Sequence, residues 1–400
     1  MKHRITFKQL VWVCITVVLA SLAVAQTAFA QGLSKGPSKG PSKGTIVEMD
    51  RVSFQEHLKA LGYKTRGGIA RAKTESADQH FVSLTHFSSS FTVGGVTYPY
   101  TMLGNPPQSG LQAEFSSVIV PLRMTFYFFG PNPIVFDPGP AVTNIINSPM
   151  YQNAQLPNGF GQFGEMMQRA TFWNKMDPGK KWSVRMKRPR VLPTIDIEVT
   201  PETGSVFKIG NALFGNVLID FLDAQAFTII QLAGIGPNEL PVFVTDDVTA
   251  EALGYHSAYS VTNSGGTEAF QTYIYTSWLD PALVDPIFAD VSTFNHENLE
   301  WFNDPFINNG VPDWKYPPKG APGAVCSHNT LLEVGDPEGN GPTYADFRAV
   351  LVPINGVDYH LQDLVMLPWF ADEVPSSAEN GWYDFPATTD IEAPAVYCQH

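Results

Sequence analysis

The chain has 400 residues, of which 44% are hydrophobic, 12% aromatic and 16% charged, enough apolar material for one large core or two and too much for a disordered protein. Lys and Arg total 25 against 38 Asp and Glu, a formal net charge of -13, which argues against a phosphate-neutralising nucleic-acid binder. Three cysteines exclude a disulfide-dense scaffold, while 33 Gly and 32 Pro announce many turns.

Residues 1–30 read as a signal peptide: Lys2, Arg4 and Lys8 precede an apolar run from Leu10 to Ala25, and Ala28-Phe29-Ala30 supplies a small-residue cleavage site. The run is shorter than the roughly 20 residues of a bilayer span, so the expectation is an exported protein, extracellular or periplasmic, with no stable membrane insertion after cleavage. Three basic residues leave with the signal, which takes the charge from -13 to -16, and Cys14 leaves too. Cys326 and Cys398 remain, and in an oxidising compartment they predict one disulfide.

Residues 31–44 repeat Ser-Lys-Gly-Pro, a flexible basic tether with no apolar face to bury. Residues 45–115 are polar and turn-rich and read as a β-rich N-terminal region or prosegment. Within it, Gly94-Gly95 between Phe91-Thr92-Val93 and Val96-Thr97-Tyr98 predicts a hairpin. Residues 116–400 form the expected main domain. Its pattern predicts a strand over 118–129, helices over 161–176 and 212–232, and strands over 240–244, 255–261 and 270–276. A hairpin turning on Asn355-Gly356 follows. Helices followed by a small sheet indicate a mixed α+β fold.

The chemistry concentrates in Ser292-Thr293-Phe294-Asn295-His296-Glu297-Asn298-Leu299-Glu300-Trp301-Phe302-Asn303-Asp304-Pro305. Pro305 must end any helix here, and Asp290, Ser292 or Thr293 are candidate caps. On a helix, Val291, Phe294, Leu299 and Phe302 form an apolar arc while His296, Glu300 and Asn303 fall on the other side. His296 and Glu300, four apart, share one face and suit two ligands of one metal ion. Glu297 sits one residue round, where a zinc metallopeptidase places its general base. The same spacing also suits a capped surface helix with a His–Glu contact. A Glu in place of the second His of HExxH still ligates zinc but softens selectivity toward manganese, iron or calcium.

Upstream, Gly254-Tyr255-His256 ends a β-type run, and His256 is open to three roles: metal ligand, donor to a developing oxyanion, or satisfied core histidine. Downstream, Glu333-Val334-Gly335-Asp336 adds two carboxylates. Asp246, Asp247, Asp304, Asp336 and Glu338 lie in Gly- and Asn-rich loops that could bind calcium, without EF-hand spacing.

Together, Gly254-Tyr255-His256, the HExxE helix followed by Asn303-Asp304-Pro305, and Glu333-x-Gly335-Asp336 resemble secreted bacterial HExxE proteins of zincin-like metallopeptidase type. They are more distantly similar to the plant exordium, or phosphate-induced, family. The resemblance covers roughly residues 240–340. It implies a zincin-like domain, a small mixed sheet plus an active-site helix, with His296 and Glu300 as zinc ligands, Glu297 as base, and Glu333 or, failing that, Asp336 as third ligand. In that group a cysteine follows the Gly-Asp, whereas here Cys326 precedes Glu333, so no disulfide register is implied. The implied partner is a protein or peptide substrate, or a cell-wall or surface component. The alternative is a non-catalytic exported protein on a degenerate zincin scaffold, with calcium as a further metal.

Overall fold

The computed structural model describes residues 43–64, 74–76, 82–177, 179, 181–263, 265–316, 325–339 and 349–398. The expected signal peptide and nearly all of the Ser-Lys-Gly-Pro tether lie outside these residues. In chain order the elements that build the site are α1 (Arg51–Leu61), β1 (Thr74–Ser76), β2 (Gln112–Phe126), α2 (Phe163–Thr171), β3 (Arg190–Val191), α3 (Ile219–Leu232), β4 (Glu239–Asp246), β5 (Gly254–Asn263), β6 (Glu268–Trp278), α4 (Ser292–Asn303), β7 (Ala349–Ile354) and β8 (Val357–Gln362). The fold is mixed α+β, as the sequence predicts.

The main sheet has the spatial order β3–β2–β4–β6–β5–β1. Strands β2, β4 and β6 are parallel, β5 runs antiparallel to β6, and β1 closes the edge beyond β5. A sheet covered on both faces reads as near-continuous apolar runs whose successive side chains serve opposite cores. Val118, Val120, Leu122 and Met124 of β2 join Phe243 of β4 and Tyr255, Tyr259, Tyr273 and Tyr275 in the core under α3. On the other face, Phe115, Ile119, Val242, Val244 and Ile274 pack with Phe163 and Met167 of α2 and with Phe294, Leu299, Trp301 and Phe302 of α4. With Tyr255 committed to the α3 face, the period of two turns His256 toward α4. That is how a β-strand brings a histidine to the motif helix.

Several expectations are corrected. The boundary at 115/116 falls inside β2, whose Gln112–Phe115 pairs with Ser183–Met186, while Ile46–Met49 pairs with Gly204–Ile209. Lys43–His400 is one unit, so residues 45–115 are built into it rather than set apart. The helix expected over 212–232 begins only at Ile219. Ala212–Val217 is a strand paired to Gly204–Ile209, and Gly215, a poor helix former, sits where a Cβ would meet the Phe126 ring at 2.7 Å. The helix expected over 161–176 spans only Phe163–Thr171, and the strand expected over 118–129 is β2, shifted toward the N-terminus. Both glycine-turn hairpins form: Val93 pairs with Val96 and Ile354 with Val357. Gly94, Gly95, Asn355 and Gly356 all have the positive φ that a two-residue primed turn requires.

Helix α4 is not a surface helix: every one of its twelve residues is buried. It ends at Asn303, two residues before Pro305 as expected, but none of the three candidate caps closes its start. Ser292 Oγ donates instead to the Ile287 carbonyl, and the Asp290 carboxylate holds the Val291 N–H and the His360 ring. The disulfide pairs Cys326 with Cys398 across 72 residues. No helix among the described residues is long and apolar enough to cross a membrane.

Candidate metal centre

One helical turn brings His296 Nε2 to 3.0 Å from Glu300 Oε1, without the alignment of a hydrogen bond. Asp336 Oδ1 lies 3.7 Å from the same nitrogen. Close approach without hydrogen-bond geometry is the arrangement of two ligands that share an ion, because metal–ligand bonds of about 2.0–2.2 Å set ligand atoms about 3.0–3.5 Å apart. Gln362, from the end of β8, fixes the histidine. Its Nε2 donates to the Gly335 carbonyl at 2.8 Å, so its Oε1 is the atom 2.8 Å from His296 Nδ1. An acceptor at Nδ1 keeps a proton there, so that Nε2 is the nitrogen that would give up its proton to offer a lone pair toward Glu300 and Asp336. On its other face the imidazole stacks on Tyr63, with ring centroids 3.5 Å apart. Asn329 Nδ2 donates to Asp336 Oδ2 at 2.6 Å, which turns Oδ1 toward the histidine.

The Gly335 of the Glu333-x-Gly335-Asp336 segment has a steric reason. A Cβ there would stand 2.3 Å from His296 Nδ1, so only glycine lets this backbone lie against the imidazole, and its N–H donates to Glu300 Oε1 at 3.1 Å. Gly254 does the same for the base: a Cβ would meet Thr293 Cγ2 at 2.6 Å and Glu297 Oε1 at 3.0 Å.

His256 stands over the same turn from β5. Its Nδ1 is 3.3 Å from Glu297 Oε2 and 3.5 Å from Glu300 Oε2, and its Nε2 is 3.8 Å from Glu333 Oε2. Donor atoms of His296, Glu300 and Asp336 lie within 4.8 Å of one another, and so do those of His256, Glu300 and Glu333. Of the two acids expected as third ligand, Asp336 is the one grouped with His296 and Glu300, while Glu333 groups with His256 and Glu300. His256 is no satisfied core histidine, because its buried Nε2 has no hydrogen-bond partner.

The electrostatics follow from burial. Burial pushes the Glu297 carboxyl up to about 7 against the His256 hydrogen bond and the His296 charge. It pushes Asp336 up to about 8, helped by the Glu300 charge, and lifts Glu333 well above the carboxylate range for the same two reasons. Glu300 alone moves the other way: burial opposes it, but the His296 charge and the two histidine contacts hold it well below its ordinary value. Burial pulls His296 down, yet Glu300, Glu297 and Asp336 outweigh it and bring the ring to about 9.

The donor set fits a cation. His256 Nε2, His296 Nε2, Glu297 Oε1 and both Glu333 oxygens are buried without a hydrogen-bond partner. A buried polar atom left unpaired costs about 1–3 kcal/mol, and four of these five atoms belong to residues of the two donor groups that share Glu300. Mixed imidazole and carboxylate ligands suit zinc, manganese or iron. The calcium expectation gains no such cluster among the described residues: Asp246, Asp247, Asp304 and Glu338 belong to no group of three converging donors. Asp304 Oδ1 instead accepts the Asn308 and Asn309 N–H groups at 2.9 and 3.1 Å, closing the turn after α4.

Sequence reasoning named all six pocket residues but missed the supporting Gln362, Tyr63 and Asn329. Gln362 had one usable signal, its place at the end of the Asn355-Gly356 hairpin; Tyr63 and Asn329 had none. Comparisons with protein-family models, curated proteins and solved structures found no match.

Proposed function

We propose that the protein is an exported, zincin-like metal-dependent hydrolase that cleaves peptide bonds in a protein or peptide substrate. The observation that carries this reading is the convergence of His296, Glu300 and Asp336 in a buried pocket with Glu297 on the same helical turn. The motif helix packed on one face of a mixed sheet supports the layout that the HExxE resemblance implies, although this sheet has nine strands among the described residues rather than being small.

His296, Glu300 and Asp336 would hold zinc or another divalent ion, which would supply Lewis acidity to lower the pKa of a water and polarise a carbonyl. Glu297 is the proton acceptor: its carboxyl, pushed to about 7, is matched to work near neutral pH, and its Oε1 has no competing partner. His256 Nδ1 holds the other oxygen and so fixes which one takes the proton. Gln362 and Asn329 hold His296 and Asp336 in register. Tyr63 stacks on the His296 ring and covers that face of it.

A second reading rests on the same closure. With the pocket residues at most 7% exposed, the ion has the enclosed setting of a structural site, which suits a non-catalytic exported protein. Metal content and peptide cleavage of the purified chain separate the two. E297Q with metal retained and cleavage lost supports the hydrolase, and E300A with metal lost supports the ion site that both readings share. A metal-loaded protein without cleavage supports the structural ion, and a metal-free, stable protein overturns both.

A further inference from the structure

The pocket holds more donors than one ion uses. We propose that it is a dinuclear centre for two divalent cations, zinc or manganese, bridged by Glu300, with His256 and Glu333 as the ligands of the second ion. The first ion rests on the reading above, at His296 and Asp336.

Glu300 is the one residue common to the two donor groups, and it turns a different oxygen to each. Oε1 faces His296 Nε2 at 3.0 Å, while Oε2 lies on the His256 side, 3.5 Å from the Nδ1 that Glu297 also holds, and leaves His256 Nε2 for an ion. A carboxylate whose two oxygens address separate donor sets has the geometry of a bridge, and two-metal sites place their ions about 3.5–4 Å apart. The imidazoles are arranged alike. His296 Nδ1 is taken by Gln362 and His256 Nδ1 by Glu297, and each Nε2 is left buried without a hydrogen bond. A hydrogen bond from one ring nitrogen to a carboxylate or amide oxygen is how ligating histidines are oriented.

Glu333 is the residue that one ion leaves unexplained. It is 1% exposed and neither of its oxygens has a hydrogen-bond partner, while Oε2 points at His256 Nε2 from 3.8 Å. An ion at His296, Glu300 and Asp336 would leave those three atoms unpaired. A second ion between His256 and Glu333 removes all of them.

The test strips the purified full chain with chelator, reloads it with Zn²⁺ or Mn²⁺ alone, and counts bound metal per chain by elemental analysis. The manganese form is also read by electron paramagnetic resonance. The expected result is two ions per chain, with a spin-coupled manganese pair. E333Q then falls to one ion, and its spectrum becomes that of an isolated ion; H256Q, a second route to the same loss, guards against one variant failing to fold. One ion per chain in the wild type, or two retained in both folded variants, overturns the dinuclear centre and leaves the proposed function standing. No bound metal overturns both.

Discussion

Gln362→Met is the sharpest probe of how the site is held, because it removes both polar contacts while keeping roughly the volume. Gln362 is fully buried and joins two partners that are themselves buried, the His296 ring and the Gly335 carbonyl, each at 2.8 Å. Leaving a buried partner unsatisfied costs about 1–3 kcal/mol, so two together predict a loss of about 2–6 kcal/mol in the metal-free protein. Removing the group that orients a ligating histidine lowers metal affinity about 10–100-fold, or about 1.4–2.7 kcal/mol. Urea unfolding of the stripped protein reads the first number, and chelator competition for zinc reads the second. The two must move together. A variant destabilised as expected whose zinc affinity stays within about twofold of wild type would refute the role of Nδ1 in presenting Nε2.

Two further outcomes test the scaffold. Replacing Cys326 and Cys398 together by Ser opens a loop of 72 residues, for which chain entropy gives roughly 4 kcal/mol; a loss of about 2–4 kcal/mol in urea unfolding is expected, and a change below about 1 kcal/mol would contradict it. Burial, then the charges of Asp247, Asp280 and Asp137, push Asp246 up to about 8 from its ordinary 3.8. The folded state therefore binds the proton more tightly than the unfolded chain, and this residue's contribution to stability falls as pH rises from about 4 to about 8. Asp246→Asn should match wild type near pH 4 and exceed it by about 1–3 kcal/mol near pH 8.5, after discounting for partial exposure. Thermal unfolding across pH measures this, and a gain at pH 4 equal to that at pH 8.5 would refute it.

The local chemistry of the site was legible where a short-range rule applies. The i,i+4 spacing of His296 and Glu300, the stop at Pro305 and the two glycine-turn hairpins are properties of adjacent residues, and they stand in the structure. Expectations failed where a distant partner decides. Ala212–Val217 has an acceptable helical pattern and becomes a strand because Gly204–Ile209 is there to pair with it. Helix α4 shows a polar side that ordinarily faces water. Here that side faces His256 from β5, Asp336 and Gln362, so its carboxylates are buried.

What the sequence determined by itself is the inventory: a strongly acidic chain, a mixed α+β pattern, one cysteine pair, and a helix that offers a histidine and two carboxylates in one turn. Only the tertiary structure decided which donors meet. The period of two in β5 commits Tyr255 to one core and so sends His256 to the opposite face, over Glu297 and Glu300. The missing Cβ at Gly335 lets the later segment lie against the His296 ring, which gives Asp336 to His296 and Glu333 to His256. Spacing along the chain carries no information about such pairings, because they depend on close approach between segments that only packing brings together.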